Sequence, residues 1–187
     1  MSDAPAPAGS DGGDHDAPVQ LAELTVRPID HASYLSELEA APGQFFALLD
    51  ACDEPKVPVL AKNLGDDAVS LYRGRAEEEL WAIAPYLVAL DKRVAQWVLD
   101  ELSGTPYGIL ISAATNLETL RKHFRRFLMV ESPEGKQLYF RYYDPRILPT
   151  FLTSSTADEV NAFFGPVHEL IVPDDDGLLS AYSNSQR

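Results

Sequence analysis

The chain has 187 residues, 45% of them apolar, and a formal net charge of −14. That length suits one ordinary domain with tails, and the apolar share is enough for a packed core, which excludes wholesale disorder. The acidity argues against nucleic acid and anionic membranes as partners, because both call for a lysine- or arginine-rich surface.

Residues 1–20 are mostly Ala, Pro, Gly, Ser and Asp, and read as a disordered acidic tail. They show no basic region followed by an apolar core, so no secretory signal is expected. "LAELTV" reads as a lead-in strand and "ASYLSELEA" as a short helix. "QFFALLD", residues 44–50, is a short apolar run that reads as a buried strand. In "PKVPVLAKNLG" the residues Val57, Leu60, Ala61 and Leu64 share one helix face, with Pro55 at the start and Gly65 at the end.

"AVSLY" (68–72), "PYLVAL" (85–90) and "YGILIS" (107–112) read as strands. The intervening "AEEELWAIA" and "DKRVAQWVLDELSG" read as helices. Asn116 is placed to cap "LETLRKHFRR", whose Leu117, Leu120 and Phe124 align.

"FLMVES" and "QLYFRYY" flank the turn-forming "PEGK" and predict an antiparallel hairpin. Asp144 and Pro145 suit the start of a helix over "RILPTFL". Thr156 and Glu159 have capping-box spacing at the head of "TADEVNAFFG". "VHELIV" is a last strand, and 174–187 reads as a flexible C-terminal tail. Strands alternating with helices predict an α/β domain over 21–173, with a mixed, mostly parallel sheet flanked by helices and one late antiparallel hairpin.

Chemistry is sparse. His15, His31, His123 and His168 have no metal-ligand spacing, and neither a phosphate loop nor a nucleophile elbow is present. No cofactor or metal is therefore expected. Cys52, the one cysteine, allows no internal disulfide and suits a reducing cytoplasm. No run reaches the roughly 18 apolar residues of a membrane-spanning helix. Asp50 and Asp53 follow a strand, where α/β enzymes place acids, or simply close that strand ahead of Pro55.

One charge asymmetry stands out. Residues 121–146 hold seven basic residues (Arg121, Lys122, Arg125, Arg126, Lys136, Arg141 and Arg146) against three acids. This strip is either a solvated helix face or a basic surface for an acidic partner. In a strand over 138–143, Tyr139, Arg141 and Tyr143 would share one face, and tyrosine and arginine are common interface anchors. The candidate partner-binding residues are Arg121, Arg125, Arg126, Tyr139, Arg141, Tyr143 and Arg146.

Several stretches carry a resemblance: "LYRG", "APYLV", "LRKHFRRFL", "FRYYDPR" and "FFGP". Over about 45–172 the chain resembles the type VI secretion effector-adaptor family, the Tap or Tec chaperones, formerly a domain of unknown function. The resemblance implies a non-enzymatic protein that binds a toxic effector, often at its N-terminal region, in the bacterial cytoplasm. It further implies a role in loading that effector onto the VgrG spike without being delivered itself. Many relatives carry a further C-terminal helical lobe, which this sequence is expected to lack. Two other readings stand beside it: an immunity-type inhibitor of a basic toxin, and a small hydrolase using Asp50 or Asp53.

Overall fold

A computed structural model describes residues 20–42, 44–52, 54–132 and 134–185. Its centre is a seven-stranded sheet in the order β1-β9-β8-β5-β2-β4-β3. The strands are β1 (Leu24–Ile29), β2 (Phe45–Asp50), β3 (Ala68–Ser70), β4 (Pro85–Ala89), β5 (Gly108–Ala113), β8 (Val167–Pro173) and β9 (Leu179–Asn184). A separate two-stranded hairpin pairs β6 (Met129–Glu131) with β7 (Gln137–Tyr139).

Every neighbouring pair in the large sheet is antiparallel, which corrects the expectation of a mostly parallel sheet. The reason is interleaving. The strands joined by the helices α1 (His31–Ala40), α2 (Lys56–Leu64) and α4 (Lys92–Glu101) do run the same way, as strand–helix–strand alternation implies. They are never neighbours, however: β4 lies between β2 and β3, and β2 lies between β4 and β5. Alternation along the chain fixes the direction of return but not which strand fills the gap.

The C-terminal stretch read as a tail is also corrected. β9 pairs with both β8 and β1, and buries Leu179 and Ala181. "PDDDG" is the turn that makes this possible, since the Asp174 side chain accepts from the backbone N–H groups of Asp176 and Leu178. The short strand's serines and asparagine masked its alternation. Residues 1–19, which hold His15 and most of the predicted acidic tail, lie outside the described residues, as does Asp53.

Period-two alternation sorts β2 between two cores. Phe45, Ala47 and Leu49 face Tyr34, Val57, Val94 and Val98 of α1, α2 and α4. Phe46 and Leu48 face the opposite layer, formed by α5 (Leu117–Arg125), α6 (Leu148–Ser154) and α7 (Ala157–Phe164). The product is a helix–sheet–helix sandwich. Gly108 opens β5 at φ 130°, where a Cβ would collide with the backbone of Leu48, so β2 and β5 approach closely only because this residue lacks a side chain.

Local signals set the helix ends. Asp30, Asp91 and Asn116 accept from backbone N–H groups of α1, α4 and α5, and the Thr156–Glu159 capping box heads α7 as its spacing predicts. α6 departs by a few residues: it starts at Leu148, while Asp144 folds its side chain onto Arg146.

Candidate functional site

The basic strip resolves into three kinds of arginine. Arg121 and Arg125 on α5 point inward to the chain leaving β3. Arg121 donates to the carbonyls of Ser70 (2.7 Å) and Tyr72 (3.1 Å), and Arg125 donates to that of Leu71. Three successive carbonyls at the sheet edge are thus satisfied by two guanidiniums, whose several N–H donors suit this fan of acceptors. Arg121 also meets Glu77 at 3.3 Å and retains only 14% side-chain exposure. Its first task is architectural.

Arg126 stays on its own helix end, where it donates to His123 Nδ1 (2.7 Å) and lies over the Phe127 ring. His123 is buried, with Nε2 2.7 Å from the Phe163 carbonyl. A carbonyl at one nitrogen and a guanidinium N–H at the other select the neutral Nε2–H tautomer. Gly165 leaves the space that this imidazole fills.

Arg141 and Arg146 belong to a different group. Arg141 pairs with the Asp50 carboxylate, which is 3% exposed and also accepts from the backbone N–H of Cys52 (2.9 Å). Burial opposes the Arg141 charge, and Asp50 more than offsets it, leaving the guanidinium pKa raised. Arg146 grips Asp144 through two donors, at 2.9 and 2.6 Å. Burial works against ionisation of Asp144, but the hydrogen bonds from Arg146 prevail and hold its carboxyl below the usual carboxylate range. The first pair fastens the 141–147 segment to the end of β2, and the second shapes the segment from within.

The predicted strand over 138–143 ends at Tyr139. Beyond it the chain turns, so the expected common face of Tyr139, Arg141 and Tyr143 does not form. Tyr142 is buried, donates to the Phe124 carbonyl (2.8 Å) and packs among Phe124, Phe127, Phe140 and Phe163. Tyr143 is 4% exposed, and burial first, then Asp50, raises the pKa of its hydroxyl. Tyr139, by contrast, is 56% exposed and meets the ring of Tyr72 at 5.5 Å.

Around Tyr139 lies a shallow groove of about 170 Å³ between the β6–β7 hairpin and the start of α3 (Arg75–Glu79). Tyr72, Ala76, Met129 and Tyr139 form its apolar walls, and Arg73 and Arg125 bring charge to it. Of the predicted site residues, Tyr139 and Arg125 meet here, and Arg121 braces the same segment from below; Arg126, Arg141, Tyr143 and Arg146 serve elsewhere. Sequence reasoning missed Tyr72, Arg73 and Met129 as surface residues. The "LYRG" stretch was the available signal for the first two.

All six hairpin positions are exposed, including Met129, Val130, Leu138 and Tyr139. The cross-strand pairs Met129–Tyr139 and Val130–Leu138 occupy opposite faces, so the hairpin shows apolar surface on both. No group of His, Cys, Asp and Glu among the described residues could hold a metal ion. None of the described helices is long and apolar enough to cross a membrane.

The outer surface thus carries an aromatic-basic groove and a hairpin that is apolar on both faces. The family described as a domain of unknown function, DUF4123, matches residues 45–162, and the chain belongs to that family. The family is associated with adaptors for type VI secretion effectors. No curated protein and no solved structure matches the chain.

Proposed function

We propose that this chain is a non-enzymatic adaptor that binds a type VI secretion effector in the bacterial cytoplasm and helps to load it onto the VgrG spike. Family membership over 45–162 carries the reading. The exposed hairpin supports it, because a lone two-stranded ribbon with apolar residues on both faces is marginal in water and gains by covering. The hydrolase reading has less support. The buried Asp50 carboxylate, at the end of β2, is held by Arg141 and by the Cys52 N–H, which is how a structural ion pair looks.

Co-expression with any effector and VgrG found encoded near this gene tests the proposal. A complex that survives gel filtration is expected, as is loss of effector delivery on deleting the gene. Delivery should return with wild-type protein and with an Asp50→Asn variant that remains folded. Failure of the purified protein to associate with either product would overturn the reading.

A further inference from the structure

We infer that the groove between α3 and the β6–β7 hairpin receives an effector segment that sets a large apolar or aromatic side chain beside a carboxylate. This rests on the adaptor reading and names the surface and the chemistry that adaptor binding would use.

Size is the first argument. Pockets for small-molecule ligands run to about 300–1,000 Å³. A depression of about 170 Å³ accepts little more than one large side chain. Its walls suit that guest: Tyr72 and Tyr139 offer tilted rings 5.5 Å apart, and Met129 adds a flexible apolar flank.

Charge gives the second argument. Arg125 has no carboxylate within ion-pairing distance among the described residues, because its guanidinium is turned to the Leu71 carbonyl. Burial first, then the neighbouring Arg73 and Arg121, lowers its pKa, with Glu77 opposing them. Glu77 is already engaged by Arg121, and Glu118 is shared by Arg73 at 3.7 Å and Lys122 at 3.3 Å. A basic spot persists on a protein of net charge −14, and a carboxylate is the group that complements it.

The hairpin gives the third. β6 pairs with β7 alone, so the ribbon is a two-stranded sheet that an extended segment can lie along while its side chain enters the groove. The same segment would cover Met129 and Tyr139, which otherwise face water.

The test uses the full chain and overlapping synthetic peptides that span any effector found encoded near its gene, read by fluorescence anisotropy. Peptides that bind should carry a large apolar residue next to Asp or Glu. Tyr139→Ala and Arg73→Glu, both at exposed positions, should each weaken binding roughly tenfold and leave the circular dichroism unchanged. Changing the peptide's acid to Lys should weaken binding to wild type, and Arg73→Glu should recover part of it. Val59→Asp, at an exposed position of α2, should bind as wild type does. If the full-length effector binds wild type, Tyr139→Ala and Arg73→Glu equally well, the groove is overturned and the adaptor reading survives. If the effector binds none of them, both fall.

Discussion

β2 and the β6–β7 hairpin draw on similar residues and meet opposite fates. "FFALLD" is buried at all six positions, whereas "MVE" and "QLY" are exposed at all six. β2 has a strand on each side and a helical layer on each face. Among the described residues, the hairpin's strands pair only with each other. Apolar character therefore states what a strand can bury, and its neighbours decide whether it does. The hairpin accordingly leaves Met129, Val130, Leu138 and Tyr139 exposed, while β2 buries every side chain.

Alkali should expose the packed half most fully. Tyr34, Tyr107, Tyr142 and Tyr143 are buried, and desolvation raises each hydroxyl pKa above the ordinary value of 10.0. The fold holds these protons more tightly than the open chain does. Their contribution is thus complete below the unfolded value and declines as pH rises past it. Tyrosinate absorbance should appear together with the loss of far-UV circular dichroism; tyrosinate forming well before unfolding would contradict the packing.

A direct comparison of the two regions comes next. Leu48→Ala in β2 should cost about 2–5 kcal/mol in chemical denaturation. Leu138→Ala in the hairpin should fall within about 0.5 kcal/mol of wild type. Equal losses would erase the contrast. Arg121→Ala should cost about 1–3 kcal/mol by stranding the carbonyls of Ser70 and Tyr72. Arg121→Lys should not restore it, because one ammonium cannot reproduce the planar fork. A solvated-face role would make both nearly silent. Apart from the near-silent Leu138→Ala, the smallest effect is expected from Thr156→Ala, about 1 kcal/mol, since it removes one half of a surface capping box.

Most elements were legible before the fold was known. The burial face of α2, the caps of α5 and α7 and the β6–β7 turn depend on residues within a few positions of one another. The candidate site was legible only in part. Tyr139 and Arg125 were named from the sequence and do meet at the groove, but their partner Tyr72 comes from a distant stretch. Nothing local marks Arg121 as the clamp of a sheet edge 51 residues away along the chain. Nor does anything local mark the run after Tyr139 as a buried knot of rings.

The sequence by itself determined where most helices and strands begin, which residues could enter a core, and which family the chain resembles, because caps, turns and periodicity act over a few residues. Only the tertiary structure decided that the sheet is antiparallel throughout, that the last residues supply β9, and which arginines are spent on backbone carbonyls. Those outcomes depend on which strand reaches an empty edge and which carbonyl lies under a given guanidinium. Both are contacts between residues far apart in the chain, and no local pattern encodes them.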